Sequence, residues 1–196
     1  MNEQVLPIKD TNVLNEVKHT LLHHFKYGLR NLTIFEVGVS TMLRASDLVK
    51  LKISDVFDNH GSVKRNAFTT DQKTGKHNTL FLAPCTKILA EYRSYLAKHQ
   101  IHSSWLFPRT RDHAKHISTT QIYRIMQRTG KWLGLNYLGS HTMRKTGAYL
   151  VYNQTGNLAL VMKLLNQSSE AVTLRYLGLN NPTIEEQLNR IDFNRI

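Results

Sequence analysis

Apolar residues recur at helical spacing through most of this chain, and the pattern breaks between residues 56 and 82. Over residues 12–25, Val13, Leu14, Val17, Leu21 and Phe25 share one helix face. Residues 32–42 read as a second helix with Leu32, Phe35 and Met42 inward, and residues 46–50 as a short third. Then the period is lost. Val56, Val63, Phe68, Leu80 and Leu82 sit in short segments separated by Asn59-His60-Gly61 and Lys73-Thr74-Gly75. This spells two or three antiparallel strands joined by turns. Helices return at Pro84, which suits a first helical turn. Ile88, Leu89, Tyr92 and Leu96 form the next apolar stripe, and Trp105-Leu106-Phe107-Pro108 reads as a buried anchor ending in a turn. Ser118-Thr119-Thr120 can cap a helix over residues 119–133, whose apolar face is Ile122, Ile125, Met126 and Leu133. Further helices are expected over 142–153, 158–165, 169–176 and 184–190. The fold class is therefore α+β, mainly α-helical with a small antiparallel three-stranded sheet.

Charge narrows the function. Lys and Arg number 26 and Asp and Glu 14 among 196 residues, a net charge of +12. A hydrophobic share of 41% excludes a wholly disordered chain and supplies a core for one domain. A folded domain so basic meets an anion, most often a nucleic acid. The single cysteine, Cys85, excludes an intramolecular disulfide and suits a reducing compartment. The most apolar run, residues 32–43, is interrupted by Glu36, Ser40 and Thr41 and is too short to span a bilayer. The first ten residues hold no apolar run of signal-peptide length. A soluble, cytoplasmic protein with no membrane partner is expected.

Four separated pieces carry the chemistry. Arg44 lies in Leu43-Arg44-Ala45-Ser46-Asp47-Leu48, where one helix ends and another begins. Lys73 lies in Gln72-Lys73-Thr74-Gly75-Lys76, on a tight turn between strands. The third piece is His141-Thr142-Met143-Arg144. The fourth is Leu164-Leu165-Asn166-Gln167-Ser168-Ser169, with Tyr176 nine residues after Gln167. Each is weak alone.

In this order they resemble the boxes of the tyrosine recombinase (phage integrase) family. The resemblance runs from about Leu32 to Tyr176. It implies that family's catalytic-domain fold over residues 1–177, followed by a tail over 178–196. It also implies cleavage and rejoining of DNA through a 3′-phosphotyrosyl intermediate, in integration, excision or inversion. Tyr176 is then the nucleophile. Covalent capture conserves the bond energy, so a second DNA end can reverse the step. Arg44 and Arg144 suit the non-bridging oxygens, because guanidinium is planar, bidentate and permanently charged. Such charge stabilisation is the usual task of a metal, and the resemblance implies neither metal nor cofactor. A phenol with a reference pKa of about 10 needs a base, and His141 is the candidate. Lys73 is the candidate acid for the leaving 5′-oxygen, with Lys76 competing for that role. Asp47 matches an acidic residue that braces the arginine site, and a plain helix-cap role is an equal alternative. Tyr123, Tyr149 and Tyr152 are expected to be core aromatics.

Two departures from the family pattern stand out. Met42 occupies the position before Leu-Arg where glycine is usual, and glycine there relieves a left-handed helix end. Gln167 replaces a His or Trp that donates to the scissile phosphate, a bond its amide can still make. Asn166 in place of glycine is a smaller change of the first kind. These departures motivate an alternative: a DNA-binding regulator of the same fold with weakened cleavage.

The remaining charge reads as a DNA-tracking surface. Arg124, Arg128 and Lys131 share a helix face, and the loop before them holds Arg109, Arg111 and Lys115. His19 and His23, four apart, and His113 and His116, three apart, lack the further ligands of a zinc site. The family's larger members carry an N-terminal clamp domain, and about 30 residues precede the first box helix here. The chain therefore resembles either a short stand-alone recombinase or the catalytic domain of something longer. Its partners are expected to be double-stranded DNA and three further copies in a homo-tetramer. The tail, with Ile184, Leu188, Ile191 and Phe193, is a candidate for docking on a neighbouring protomer.

Overall fold

In the computed structural model, residues 5–71 and 75–179 are described. The Asp10 carboxylate starts α1 (Thr11–His23) by accepting the N–H groups of Asn12 and Val13 at 2.7 and 3.0 Å. α1 buries Val17 and Leu21 against α2 (Gly28–Thr41). α2 begins four residues before its apolar period does, because Arg30 and Asn31 are buried although polar. Its internal threonines return their hydroxyls to the helix: Thr33 donates to the Leu29 carbonyl and Thr41 to that of Val37. Two single-turn helices follow, α3 (Ala45–Leu48) and α4 (Ile53–Val56).

Strands β1 (Asn66–Thr70) and β2 (His77–Phe81) pair antiparallel, with Asn66 opposite Phe81 and Thr70 opposite His77. Ala67 and Leu80 face the core, whereas Phe68 and Phe81 lie exposed on the other face. The expected third strand of this sheet does not form among the described residues. Val56 ends α4 instead, and Val63 makes a single bridge to Phe57. The reason is local. The Asp58 carboxylate accepts the N–H groups of His60 and Ser62 at 2.9 and 2.8 Å, which winds the segment into a turn too tight to extend.

A second ribbon appears where the sequence reads as a loop: β3 (Pro108–Arg109) and β4 (Asp112–His116). β4 has no apolar alternation to announce it. Tertiary bonds hold it, from Ser103 Oγ to the His113 carbonyl at 2.6 Å and from Trp105 Nε1 to that of Ala114 at 3.0 Å. Between the ribbons, a 3₁₀ turn at Ala83–Cys85 containing Pro84 leads into α5 (Thr86–Lys98).

α6 (Thr119–Leu133) opens on a capping box between Ser118 and Gln121. It is followed by α7 (Thr142–Thr155), α8 (Leu158–Leu164) and α9 (Glu170–Leu177). α2 and α7 approach closely, and Gly147 allows it: a Cβ there would run into the Val39 carbonyl oxygen. That crossing brings the end of α2 beside α7. The expected helix over 184–190 and all of the tail beyond residue 179 lie outside the described residues, as does Lys73. No helix among the described residues is long and apolar enough to cross a membrane.

Two apolar clusters result. The larger joins α1, α2, α5, α6 and the inner face of the β1–β2 ribbon. The smaller consists of Ala148, Val161, Leu165 and Leu177 from α7, α8 and α9, together with Met42. Met42 is thus the reach of the first arginine box into the cluster that carries the Tyr176 helix. It adopts the left-handed conformation (φ 52°, ψ 26°) expected of a glycine at that place, and its side chain is 3% exposed. Left-handed strain costs a non-glycine residue about 1–2 kcal/mol, and deleting a buried methionine side chain costs about 2–5 kcal/mol. The packing term wins. Met42→Gly is expected to lower stability by about 2 kcal/mol in urea unfolding.

Candidate active site

The candidate residues arrive from helix ends. Arg44 is the N-cap of α3, Asp47 lies within α3, and His141 is the N-cap of α7. Arg144 is in the first turn of α7, Gln167 lies between α8 and α9, and Tyr176 is in the last turn of α9.

Arg144 joins three of these ends. Its side chain is almost fully buried, with the residue 2% exposed. One terminal nitrogen donates to the Met42 carbonyl, at the C-cap of α2. The other donates to the Leu165 carbonyl, at the C-cap of α8, at 2.7 Å. Helix C-termini carry unpaired carbonyls and partial negative charge, so a guanidinium satisfies both at once. Each bonded carbonyl lies two residues before a predicted site residue, Arg44 in one case and Gln167 in the other. Burial lowers the Arg144 pKa, and the neighbouring Arg44 charge lowers it further; Tyr176 and Asp47 pull it back up. Two cations therefore lie side by side with a carboxylate and a phenol near one of them.

Tyr176 sits on this base. Its hydroxyl lies 3.2 Å from His141 Nδ1. Its ring lies 5.7 Å from the Arg144 guanidinium carbon and 5.3 Å from Lys145 Nζ. Lys145 is anchored by donating to the Val5 carbonyl at 2.8 Å, and burial lowers its pKa. The Gln167 amide oxygen accepts the Thr173 hydroxyl at 3.0 Å, which fixes the glutamine against the tyrosine helix. Asn166 is left-handed too (φ 51°), again where the family pattern has glycine.

Arg44 pairs with Asp71 at the end of β1. Beside Arg44 opens a cleft of about 370 Å³, whose lining includes Ser46, Thr119, Thr120, Tyr123 and His141. Sequence reasoning missed Asp71 and misplaced Tyr123. Tyr123 is 47% exposed and faces the cleft, whereas Tyr149 and Tyr152 are partly buried against the smaller cluster. Its helical phase carried the signal: Tyr123 lies off the stripe of Ile122, Met126 and Leu133. Asp71 gave a weaker one, as a carboxylate directly before the Gln72-Lys73 turn.

The six residues expected to track DNA are all exposed. Arg124 and Lys131 lie on the outer face of α6. Arg128 instead stacks over Trp132 at 4.7 Å, and Lys115 pairs with Asp112 at 3.1 Å. The rings of His19 and His23 pack against each other in a tilted pair at 4.5 Å. Among the described residues no group of three or more His, Cys, Asp or Glu is arranged to hold a metal ion.

The model of the phage integrase family matches residues 11–182. A Bacillus subtilis protein named "Probable integrase/recombinase YoeC" is 33% identical over 179 residues, covering 91% of this chain and 92% of that protein. The tyrosine recombinase XerC of Corynebacterium glutamicum is 25% identical over 173 residues, covering 83% of this chain and 51% of that protein. The chain thus spans nearly all of the first relative and about half of the second. Among solved structures, XerA recombinase superposes with a TM-score of 0.73 at 23% identity, over 95% of this chain and 65% of that one. A lambda integrase tetramer bound to a Holliday junction gives 0.67 at 18% identity, over 90% of this chain and 49% of that one. These likenesses show the fold.

The Arg144 bonds give a stability test. Lysine keeps the charge but cannot reach two carbonyls on opposite sides of a planar fork. Arg144→Lys is expected to lose about 2 kcal/mol of unfolding free energy in urea, while Arg44→Lys, which keeps the charge facing Asp71, is expected to lose less.

Proposed function

The chain belongs to the phage integrase family, and from that membership and the geometry of the site we propose that it acts as a site-specific tyrosine recombinase that cleaves and rejoins double-stranded DNA. The observation that carries this reading is the Tyr176 hydroxyl set 3.2 Å from His141 Nδ1, with its ring over the buried Arg144. A nucleophile, a base within hydrogen-bond reach and a fixed cation meet at one place.

In the cleavage step Tyr176 Oη attacks the scissile phosphorus. The Oη–P bond forms and the P–O5′ bond breaks. The phenolic proton passes to His141 Nδ1, and the 5′-oxygen takes a proton from Lys73, with Lys76 its competitor. Arg44 and Arg144 neutralise the non-bridging oxygens, whose charge grows in the transition state. Gln167 supplies an amide donor to the same phosphate. Asp47 steadies the arginine pair. Met42 holds the left-handed turn that a glycine would hold, which supports an active arginine box despite this departure.

Arg109, Arg111, Lys115, Arg124, Arg128 and Lys131 are assigned to backbone phosphates flanking the cleft. The catalytic domain comprises residues 1–177. Residues 178–196 are assigned to docking on a neighbouring protomer in a homo-tetramer on DNA, in the cytoplasm.

A nicked duplex carrying the chain's own recombination site, sought as an inverted repeat in the DNA beside the coding region, tests the reading. Wild-type protein is expected to give an adduct that survives denaturant, and Tyr176→Phe none. Arg44→Ala is expected to slow adduct formation by about 10²–10³. The absence of any wild-type adduct on that duplex would leave the DNA-binding regulator as the better reading. Replacing the bridging 5′-oxygen by sulfur tests Lys73, because a thiolate leaves without a proton. Lys73→Ala should be slow on the oxygen substrate and restored on the sulfur one. Loss on both would remove Lys73 from the acid role.

A further inference from the structure

The buried ion pair between Arg44 and Asp71 has no place in the reaction just described. Asp71 is 5% exposed and the Arg44 side chain 17%. A carboxylate so far from water is costly unless paired, and this one faces the guanidinium that the proposed mechanism sends to the phosphate. Its own backbone is pinned. The Asp71 N–H donates to the Lys76 carbonyl at 2.9 Å, and the Asp71 carbonyl accepts the Gly75 N–H at 2.8 Å. The carboxylate therefore projects from a fixed point at the end of β1.

The charges around it explain the need. Arg44 and Arg144 lie close enough for one to disturb the other. Without a phosphate between them they repel. Asp47, 4% exposed, attracts Arg144, and Asp71 holds Arg44. Two buried carboxylates thus stand against two guanidiniums. A guanidinium has five N–H donors, and the Asp71 contact engages one terminal nitrogen. The fork can keep that bond and still face the cleft.

We propose that Asp71 is a positioning residue for Arg44, holding its guanidinium beside Arg144 before DNA arrives so that both meet the scissile phosphate without rearrangement. The inference rests on the recombinase reading above. Preorganisation of this kind lowers the barrier because the charge is already placed when the transition state forms. Asp71 touches no reacting atom. Its effect passes through Arg44 and is felt where the phosphate carries charge.

The test compares two nicked duplexes of identical sequence, one with an ordinary scissile phosphodiester and one with a methylphosphonate there. The methylphosphonate lacks the negative charge, so the placing of Arg44 matters little for it. Asp71→Asn keeps the size and a hydrogen-bonding group and removes the charge. It is expected to form the Tyr176 adduct on the phosphodiester about 10- to 100-fold more slowly than wild type, and on the methylphosphonate within about twofold of wild type. Asp71→Glu is expected to recover part of the phosphodiester rate. Equal loss on both duplexes would mean that Asp71 only supports the fold, and would overturn the proposal. A rate on the phosphodiester equal to or above wild type would overturn it too. In both cases wild-type protein still forms the adduct, so the recombinase reading stands. Failure of wild type on both duplexes would instead remove that reading, and the proposal with it.

Discussion

One buried guanidinium organises this molecule. Arg144 is held at the start of α7, and its two terminal nitrogens satisfy the last carbonyls of α2 and α8. Leaving either carbonyl unpaired in the interior would cost about 1–3 kcal/mol, so the helix ends and the arginine hold one another in register. Three site residues take their backbone positions from that register. Arg44 leaves the α2 end two residues on, Gln167 leaves the α8 end two residues on, and Tyr176 lies over the guanidinium itself. The proposed catalytic cation is also the structural knot, which couples stability to chemistry at this one residue.

Much of this was legible in the sequence. The helical period located α1, α5 and α6 closely, because their apolar stripes face the larger cluster on one side only. The left-handed turn at Met42 was legible from the position where glycine is usual, and the structure puts a methionine there with its side chain filling the smaller cluster. Other parts were hidden. The start of α2 was masked by the buried polar pair Arg30 and Asn31. β4 was masked by its polar sequence, since bonds from Ser103 and Trp105 hold it. The third strand failed because Asp58 turns the chain locally. Asp71 was hidden for a different reason: an ion pair across 27 residues leaves no periodic trace.

The positive charge divides into two populations. Arg44 and Arg144 are shielded, close together and attended by buried carboxylates. The exposed cations along α6 and the β3–β4 ribbon lie in water, where each is worth little alone and salt screens it. The first population suits one phosphate held tightly, and the second suits many held loosely. A net charge of +12 therefore states affinity for a polyanion, and the arrangement of a few buried members states what can be done to it.

Tyr176 lies on the His141 and Arg144 of its own chain, an arrangement suited to cleavage by each protomer's own tyrosine. Mixing Tyr176→Phe protein with Arg44→Ala protein on the nicked duplex tests it directly. If the tyrosine acts within its own chain, neither protein can complete the other, and the mixture forms no more adduct than the two separately. An adduct restored toward the wild-type level would show the tyrosine passing to a neighbour's arginines, and would contradict the account.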